Sequence, residues 1–205
     1  MNVTTSLIEN SLNKSYSYNQ YRSHVTGLLE EGLSTGATQS EDLTHYSTLN
    51  EVRMNRLDKT IHVPDEIKAK LKGLKKEHTL LVISEGWCGD AAQILPVINK
   101  MVAETDKLDL KIVLRDENDE LMSDYLTNGA RSIPKLVLVE TDSLVARGSW
   151  GPRPHDAAQL IADNKVQFGS VTAEAKTELQ KWYLQDKGHS TMEEIALLLE
   201  NSDNM

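Results

Sequence analysis

The sequence is poor in features that anchor proteins in membranes or stabilise secreted ones. Its 205 residues include a single cysteine, Cys88, so no disulfide can form within the chain and packing alone must stabilise the fold. No stretch approaches the roughly 20 apolar residues that cross a bilayer. The first residues, MNVTTSLIENSLNKS, lack a basic segment followed by an apolar one. We therefore expect a soluble, cytoplasmic protein with no membrane contact.

Excess positive charge and closely spaced metal ligands are also missing. Lysine and arginine number 22 against 31 acidic residues, a formal net charge of −9, which would repel a phosphate backbone and excludes nucleic acid as a partner. The histidines are scattered, at positions 24, 45, 62, 78, 155 and 189. Because no two of them have ligand spacing, we predict no metal site and no cofactor.

The first third of the chain has the patterns of helices. Within residues 1–38 the apolar positions permit one amphipathic helix, and Ser40 is a plausible N-cap for a second that runs to Lys59. A third helix is expected after Pro64, because proline suits the first turn, and it runs to about Leu74.

Residues 79–166 then alternate between strands and helices. A short apolar run, Leu80–Ile83, predicts a buried strand, and a helix containing Pro96 follows it. A parallel strand, a short helix capped by Asn118 and ending near Gly129, and a hairpin come next. The predicted bounds of these later strands are Leu108–Leu114, Lys135–Glu140 and Leu144–Trp150. Helices complete the chain, the first over Ala157–Val166, a second ending at Gly188 and the last with a capping box formed by Thr191 and Glu194.

Three motifs occur at matching places in this order of elements. The segment EGWCGDA, around Cys88, resembles the Trp-Cys-Gly-Pro-Cys segment of thioredoxins, and Pro96 matches the proline inside the thioredoxin helix that follows. The segment RSIPKLVLV resembles the thioredoxin loop in which a cis-proline faces the reactive sulfur, which implies that role for Pro134. Together with WGPRP, these motifs are similar to a bacterial thioredoxin-like subgroup that lacks the second cysteine.

The resemblance implies an α/β thioredoxin fold, with a central mixed sheet flanked by helices. It implies a thioredoxin-like domain over residues 61–170. Residues 1–60 would then be a helical N-terminal extension packed on that domain, and residues 171–205 a C-terminal helical addition.

Two residues depart from the thioredoxin pattern. Ala91 occupies the place of the resolving cysteine, and Val82 occupies the place of a buried carboxylate that assists proton transfer in typical thioredoxins. Both departures weaken dithiol catalysis. A mixed disulfide on Cys88 would have to be resolved by an outside thiol.

The reactivity of Cys88 depends on two opposing effects. The N-terminus of a helix lowers the pKa of a thiol, whereas the carboxylate of Asp90 raises it, and the sequence does not decide between them. A lone cysteine is also commonly a small buried apolar residue. The residues expected to surround Cys88 are Trp87, Gly89, Asp90, Ala91, Ile133 and Pro134.

The rim of this site has three candidates. Arg115 and Asp116 follow the second strand, and the carboxyl ends of parallel strands form the ligand-binding edge of a sheet. Arg153, in WGPRP, is a candidate cation at the same edge. The alternative is that these are solvated surface charges.

Two functions are consistent with these residues. The first is monothiol thiol–disulfide exchange by Cys88, or its reversible capping, with a small thiol or a protein thiol or disulfide as partner; Trp87, Cys88 and Pro134 favour it. The protein would then be an oxidoreductase of monothiol type. The second is a redox-silent binding module that keeps the fold without turnover, which Ala91 and Val82 favour. The sequence leaves the oligomeric state open.

Overall fold

The central sheet contains four strands in the order β2-β1-β3-β4. The computed structural model describes residues 3–204. The strands are β1 (His78–Ser84), β2 (Leu108–Leu114), β3 (Lys135–Glu140) and β4 (Val145–Trp150). β1 pairs in parallel with β2 and antiparallel with β3, and β3 pairs antiparallel with β4. This mixed sheet confirms the predicted thioredoxin fold.

Helices flank the sheet and extend the chain at both ends. They are α1 (Val3–Leu12), α2 (Tyr18–Glu30), α3 (Glu41–Thr60), α4 (Asp65–Lys72), α5 (Gly89–Val102), α6 (Asp119–Asp124), α7 (His155–Phe168), α8 (Ala173–Asp186) and α9 (His189–Asp203). A short 3-10 helix, Arg115–Glu117, follows β2. Ser40 accepts a hydrogen bond from the Leu43 N–H and caps α3, as expected from the sequence.

The core lies where β1 and α5 meet. Every residue of β1 is buried, because β1 has a strand on each side and helices on its faces. α5 buries Ile94, Leu95 and Ile98 completely, and Pro96 lies inside it. The buried strand therefore delivers the chain directly to the start of a buried helix, and Cys88 stands at that junction.

The N-terminal segment forms two helices where the sequence analysis expected one. Ser17 ends the connection between them and caps α2, since its side chain accepts the Gln20 N–H while the Gln20 side chain accepts the Ser17 N–H. Just before it, Tyr16 pairs with Ile112 through two backbone hydrogen bonds of 2.8 and 2.9 Å. That pairing at the edge of β2 breaks the helical pattern.

Two predicted helix boundaries are wrong. α6 ends at Asp124, because Thr127 and Ala130 pair across a turn in which Asn128 and Gly129 have positive φ. α9 begins at His189, so Thr191 and Glu194 form no capping box.

The carboxylate of Glu194 instead has tertiary partners. It accepts hydrogen bonds from Trp150 Nε1, at 2.6 Å, and from the His155 backbone N–H, at 2.7 Å. These donors lie outside α9, which explains why a local capping pattern failed to predict the start of the helix.

Residues 1–60 are packed closely against the rest of the chain. The Arg22 guanidinium joins α2 to α3 by ion pairs with Glu51 and Asp58, at 3.1 and 2.6 Å. Ile8 of α1 is 0% exposed, and Tyr21 of α2 is completely buried. The extension thus contributes side chains to the same core as the sheet.

We predict that truncating Ile8 destabilises the whole protein. Ile8→Ala should lower the free energy of unfolding by about 2–5 kcal/mol, because it leaves a cavity in the shared core. Chemical denaturation followed by circular dichroism would measure this loss. The control Val52→Ala, on an exposed position of α3, should change stability by less than about 0.5 kcal/mol. Equal effects of the two substitutions would show that α1 is only loosely attached.

Candidate functional site

Cys88 is the N-cap residue of α5 and faces the loop before β3. Its Sγ accepts the Ala91 N–H, at 3.5 Å, and its thiol donates to the Ile133 carbonyl oxygen, at 3.3 Å. The Ile133–Pro134 peptide bond is cis. The structure therefore brings together Cys88, Ala91, Ile133 and Pro134, which the sequence analysis assigned to one site.

The sulfur is covered rather than presented to solvent. Cys88 is 8% exposed, and both Ile133 and Pro134 are buried. Asn50 of α3 binds the Gly86 carbonyl two residues before Cys88, and the Tyr183 hydroxyl of α8 binds Asp90 two residues after it. The helical additions at both ends of the chain therefore enclose the cysteine.

Burial decides the ionisation of Cys88. Burial is the largest cause and the negative charge of Asp90 acts in the same direction, so that the pKa of the thiol is raised to about 12. The N–H groups of Ala91 and Asp90 and the charge of Arg153 lower that pKa by less. The opposition between helix terminus and carboxylate, which the sequence left open, is thus overridden by desolvation. The thiol is protonated at neutral pH.

Asp90 belongs to a buried ionic cluster. Arg153 Nη2 lies 2.6 Å from Asp90 Oδ2, and the Tyr183 hydroxyl donates to Oδ1 at 3.0 Å. Burial raises the pKa of the Asp90 carboxyl, while the charge of Arg153 and the hydroxyl of Tyr183 oppose that shift. The cluster fastens the segment WGPRP and α8 to the first turn of α5. Arg153 therefore acts as the partner of Asp90 rather than as a free cation at the rim.

Trp87 is partly exposed and forms the outer wall of the site with the two other rim candidates. The guanidinium carbon of Arg115 lies 4.9 Å from the centroid of the Trp87 ring, a cation–π contact. Arg115 Nε also pairs with Asp116 Oδ1 at 2.9 Å. Arg115 and Asp116 are thus next to the site, at the carboxyl end of β2, and their charges offset each other.

Glu85, which the sequence analysis did not identify, is a buried acid beside this wall. It is 0% exposed, and its Oε1 accepts the Asp116 N–H at 3.0 Å. Its Oε2 is buried without a hydrogen-bond partner among residues 3–204. Burial raises the pKa of the Glu85 carboxyl, and the nearby Thr35 side chain and the Asp116 N–H partly offset that rise. An acidic residue two positions after the apolar run Leu80–Ile83 was the available sequence signal.

The extension also holds the backbone that leads into Cys88. Asn50 Nδ2 donates to the Gly86 carbonyl at 2.9 Å, and the Thr35 hydroxyl oxygen accepts the Gly86 N–H at 2.8 Å. A Cβ on Gly86 would lie 3.1 Å from a methyl group of Val25, so glycine permits this close approach. Residues 25–50 therefore fix the turn between β1 and α5.

Two other features lie away from Cys88. Glu66, His189 and Glu193 place potential metal-binding atoms within 4.8 Å of one another on the exposed surface between α4 and α9, a grouping that histidine spacing alone could not predict.

A cavity of about 740 Å³ lies between α1 and α6, with Asp116 on its wall but not Cys88. Within residues 3–204, none of the helices is both long and apolar enough to cross a membrane.

Comparison with known proteins agrees with the fold. A sequence model of the family described as thioredoxin matches residues 36–176. Among solved structures, the chain is similar to PA1234, a protein of unknown function from Pseudomonas aeruginosa, at 14% identity and a TM-score of 0.59. The match covers 91% of this chain and 99% of that one. An HIV epitope-scaffold protein is similar at 16% identity and a TM-score of 0.56, with the same coverage. No curated protein sequence matches the chain.

We predict that Asp90→Asn makes Cys88 more reactive. Removing the negative charge lowers the pKa of the thiol, and each unit lowered raises the thiolate fraction by about tenfold. Alkylation by iodoacetamide at about pH 8, followed by mass spectrometry, should therefore be faster in the variant. Asp109→Asn, on an exposed position of β2, is the control and should match the unsubstituted protein. A rate unchanged by Asp90→Asn would contradict the electrostatic role of Asp90.

We predict a pH-dependent effect of Glu85→Gln. The folded-state pKa of Glu85 is raised above 4.5. Protonation of Glu85 therefore stabilises the folded protein, and this stabilisation is fully present below about pH 4.5. It is lost as the pH rises through the folded-state pKa. The variant should therefore become more stable relative to the unsubstituted protein between about pH 4.5 and pH 8. Urea unfolding at several pH values would measure the difference, with exposed Glu77→Gln as the control. A difference that does not vary with pH would contradict the raised pKa of Glu85.

Proposed function

The chain belongs to the thioredoxin family, and from that membership we propose that it is a redox-silent binding module. In this proposal the thioredoxin fold is kept as a scaffold for recognition, and thiol turnover is lost. The state of Cys88 carries the proposal. Its thiol is buried, donates to the Ile133 carbonyl and has a pKa raised to about 12. A protonated thiol is a poor nucleophile, since the thiolate is the reacting species.

The surroundings of the sulfur support the same conclusion. Ala91 is 1% exposed and fills the position of a resolving cysteine with a methyl group. Val82 is equally buried, and it is an apolar residue at the position where typical thioredoxins have a carboxylate for proton transfer. Glu85 is a buried acid, but its Oε1 accepts the Asp116 N–H rather than a hydrogen bond from Cys88. The chain thus lacks both the second sulfur and the proton acceptor that dithiol turnover uses.

The helical additions support a role in binding. Tyr21, Asn50 and Tyr183 lie on three different helices, α2, α3 and α8, and all three approach the turn or the first residues of α5. Their packing accompanies the low exposure of Cys88, which is 8%. The same additions create new surfaces around α5, which is consistent with recognition away from the sulfur.

One observation favours monothiol exchange as a second candidate function. Cys88 stands at the N-terminus of a helix and faces the Ile133–Pro134 loop, the arrangement that the thioredoxin resemblance implies for a reactive sulfur. In that reaction the thiol would lose its proton and its sulfur would attack a small-molecule disulfide. A mixed disulfide would form and one thiolate of the small molecule would leave. That step requires the covered sulfur to become accessible.

We predict that the folded protein forms no mixed disulfide with glutathione. Incubation with glutathione disulfide at about pH 7.5, followed by intact mass spectrometry, should show no adduct on Cys88, because the thiol is buried and protonated. The matched control is the same protein in concentrated urea, where the exposed thiol should form the adduct. Rapid adduct formation on the folded protein would overturn the redox-silent proposal and favour monothiol exchange.

A further inference from the structure

An open groove of about 400 Å³ lies between α3 and α8, with α5 at its base. Val52, Arg53 and Arg56 form the wall on α3, and Gln180, Lys181 and Leu184 form the wall on α8. The two walls belong to the N-terminal and C-terminal additions. The groove is therefore a surface that the additions, rather than the sheet, create.

The groove is held open by a polar contact at its base. Gln93 of α5 donates to Gln180 of α8 through their side-chain amides, at 2.9 Å. Arg53 is fixed on the other side, since its Nη1 donates to Asn50 Oδ1 at 2.7 Å and Asn50 in turn binds the Gly86 carbonyl. The α8 wall is thus attached to α5 and the α3 wall to the turn that precedes it, and the groove exists before any partner binds.

Apolar side chains on the two walls are left in contact with solvent. Val52 is 66% exposed and Leu184 is 57% exposed, and they belong to opposite walls. Single exposed apolar residues are ordinary on protein surfaces. Here the two face one concave space, so one apolar side chain of a partner could contact both of them.

The charges of the groove are unbalanced within the chain. The structure describes all seven arginines, and five of them form ion pairs with carboxylates, namely Arg22, Arg115, Arg131, Arg147 and Arg153. The other two are Arg53 and Arg56, and neither has a carboxylate within 4.0 Å among residues 3–204. Burial lowers the pKa of Arg53 most, the positive charge of Arg56 lowers it further, and the charge of Asp90, which is itself paired with Arg153, partly opposes both effects.

We propose that this groove docks an acidic segment of a partner protein, with one apolar side chain between Val52 and Leu184 and carboxylates on Arg53 and Arg56. A protein with a net charge of −9 that leaves only these two arginines unpaired has a local surface complementary to carboxylates. Arginine binds a carboxylate through two parallel hydrogen bonds, which suits a flanking Asp or Glu. The volume suits a few side chains of a peptide segment.

The location of Arg53 connects the groove with the region of Cys88. Its Nη1 would lie 3.6 Å from a Cβ on Gly89, so a carboxylate bound to Arg53 would come close to the first turn of α5. The inference rests on the proposed function, since it names the surface and the partner chemistry of a binding module.

The test uses the full-length protein and three synthetic peptides. The probe is acetyl-Glu-Glu-Leu-Glu-Glu-amide, and its two controls replace Leu with Gly or every Glu with Lys. Titrations are followed by the NMR signals of the Val52 and Leu184 methyl groups. We expect the probe to shift both methyl signals, and we expect neither control peptide to do so at the same concentrations.

Variants separate the charges from the apolar contact. Arg53→Gln with Arg56→Gln should weaken binding of the probe by about fivefold or more, as expected from the loss of two surface charge pairs. Lys72→Gln with Lys165→Gln removes two charges elsewhere and should leave binding unchanged. Leu184→Ala, on an exposed position, should weaken binding without affecting the fold.

Several results would overturn the inference. If the glycine control or inorganic phosphate binds as well as the probe, the groove binds anions without an apolar contact, and the proposed peptide docking is wrong. Methyl shifts that follow protein concentration alone would assign it to a second copy of the chain. Absence of shifts at Val52 and Leu184 would remove the docking site altogether. Because the peptides contain no sulfur, these results are independent of adduct formation at Cys88, which tests the proposed function.

Discussion

The enclosure of one sulfur atom is the constraint on which the functional interpretation depends. The Cys88 thiol donates to the Ile133 carbonyl, while Asn50 of α3 and Tyr183 of α8 bind the residues two positions before and after it. The cost of desolvating a thiolate in such a place exceeds the stabilisation that the N–H groups at the helix terminus provide. The neutral thiol is therefore favoured. The position inherited from a redox fold therefore holds a side chain that behaves as a small buried residue.

The chain encloses the sulfur by elaborating both ends of the thioredoxin domain. α3 holds the turn before Cys88 through Asn50, and α8 holds the turn after it through Tyr183 and Asp90. Because the Asp90–Arg153 pair is buried, its Coulomb attraction is offset by desolvation, and it is weak evidence for added stability. Once both additions are attached to α5, they cover the sulfur and form a new groove between themselves. The same packing therefore covers the surface around Cys88 and creates the groove between α3 and α8.

Local sequence patterns predicted the strands and the helix cap, but they did not predict contacts between residues that are distant in the sequence. The bounds of β2 and β3 and the Ser40 cap agree with the sequence analysis, because each depends on neighbouring residues. The Tyr183 contact with Asp90 joins residues 93 positions apart, and no periodicity reports such a pair. Glu85 was not predicted, because the resemblance to thioredoxins places the buried carboxylate at position 82. Glu194 was assigned to a local cap because its partners, Trp150 and His155, lie on other elements.

Direct titration of the Cys88 thiol is the most direct test of its enclosure. The ultraviolet absorbance of the thiolate can be followed against pH in the folded protein, with a Cys88→Ala variant subtracted to remove the tyrosine signal. The enclosure predicts no thiolate absorbance up to about pH 10, since burial and Asp90 raise the pKa. A titration with a midpoint at or below the ordinary value of about 8.5 would show an accessible, ionisable sulfur and contradict the account.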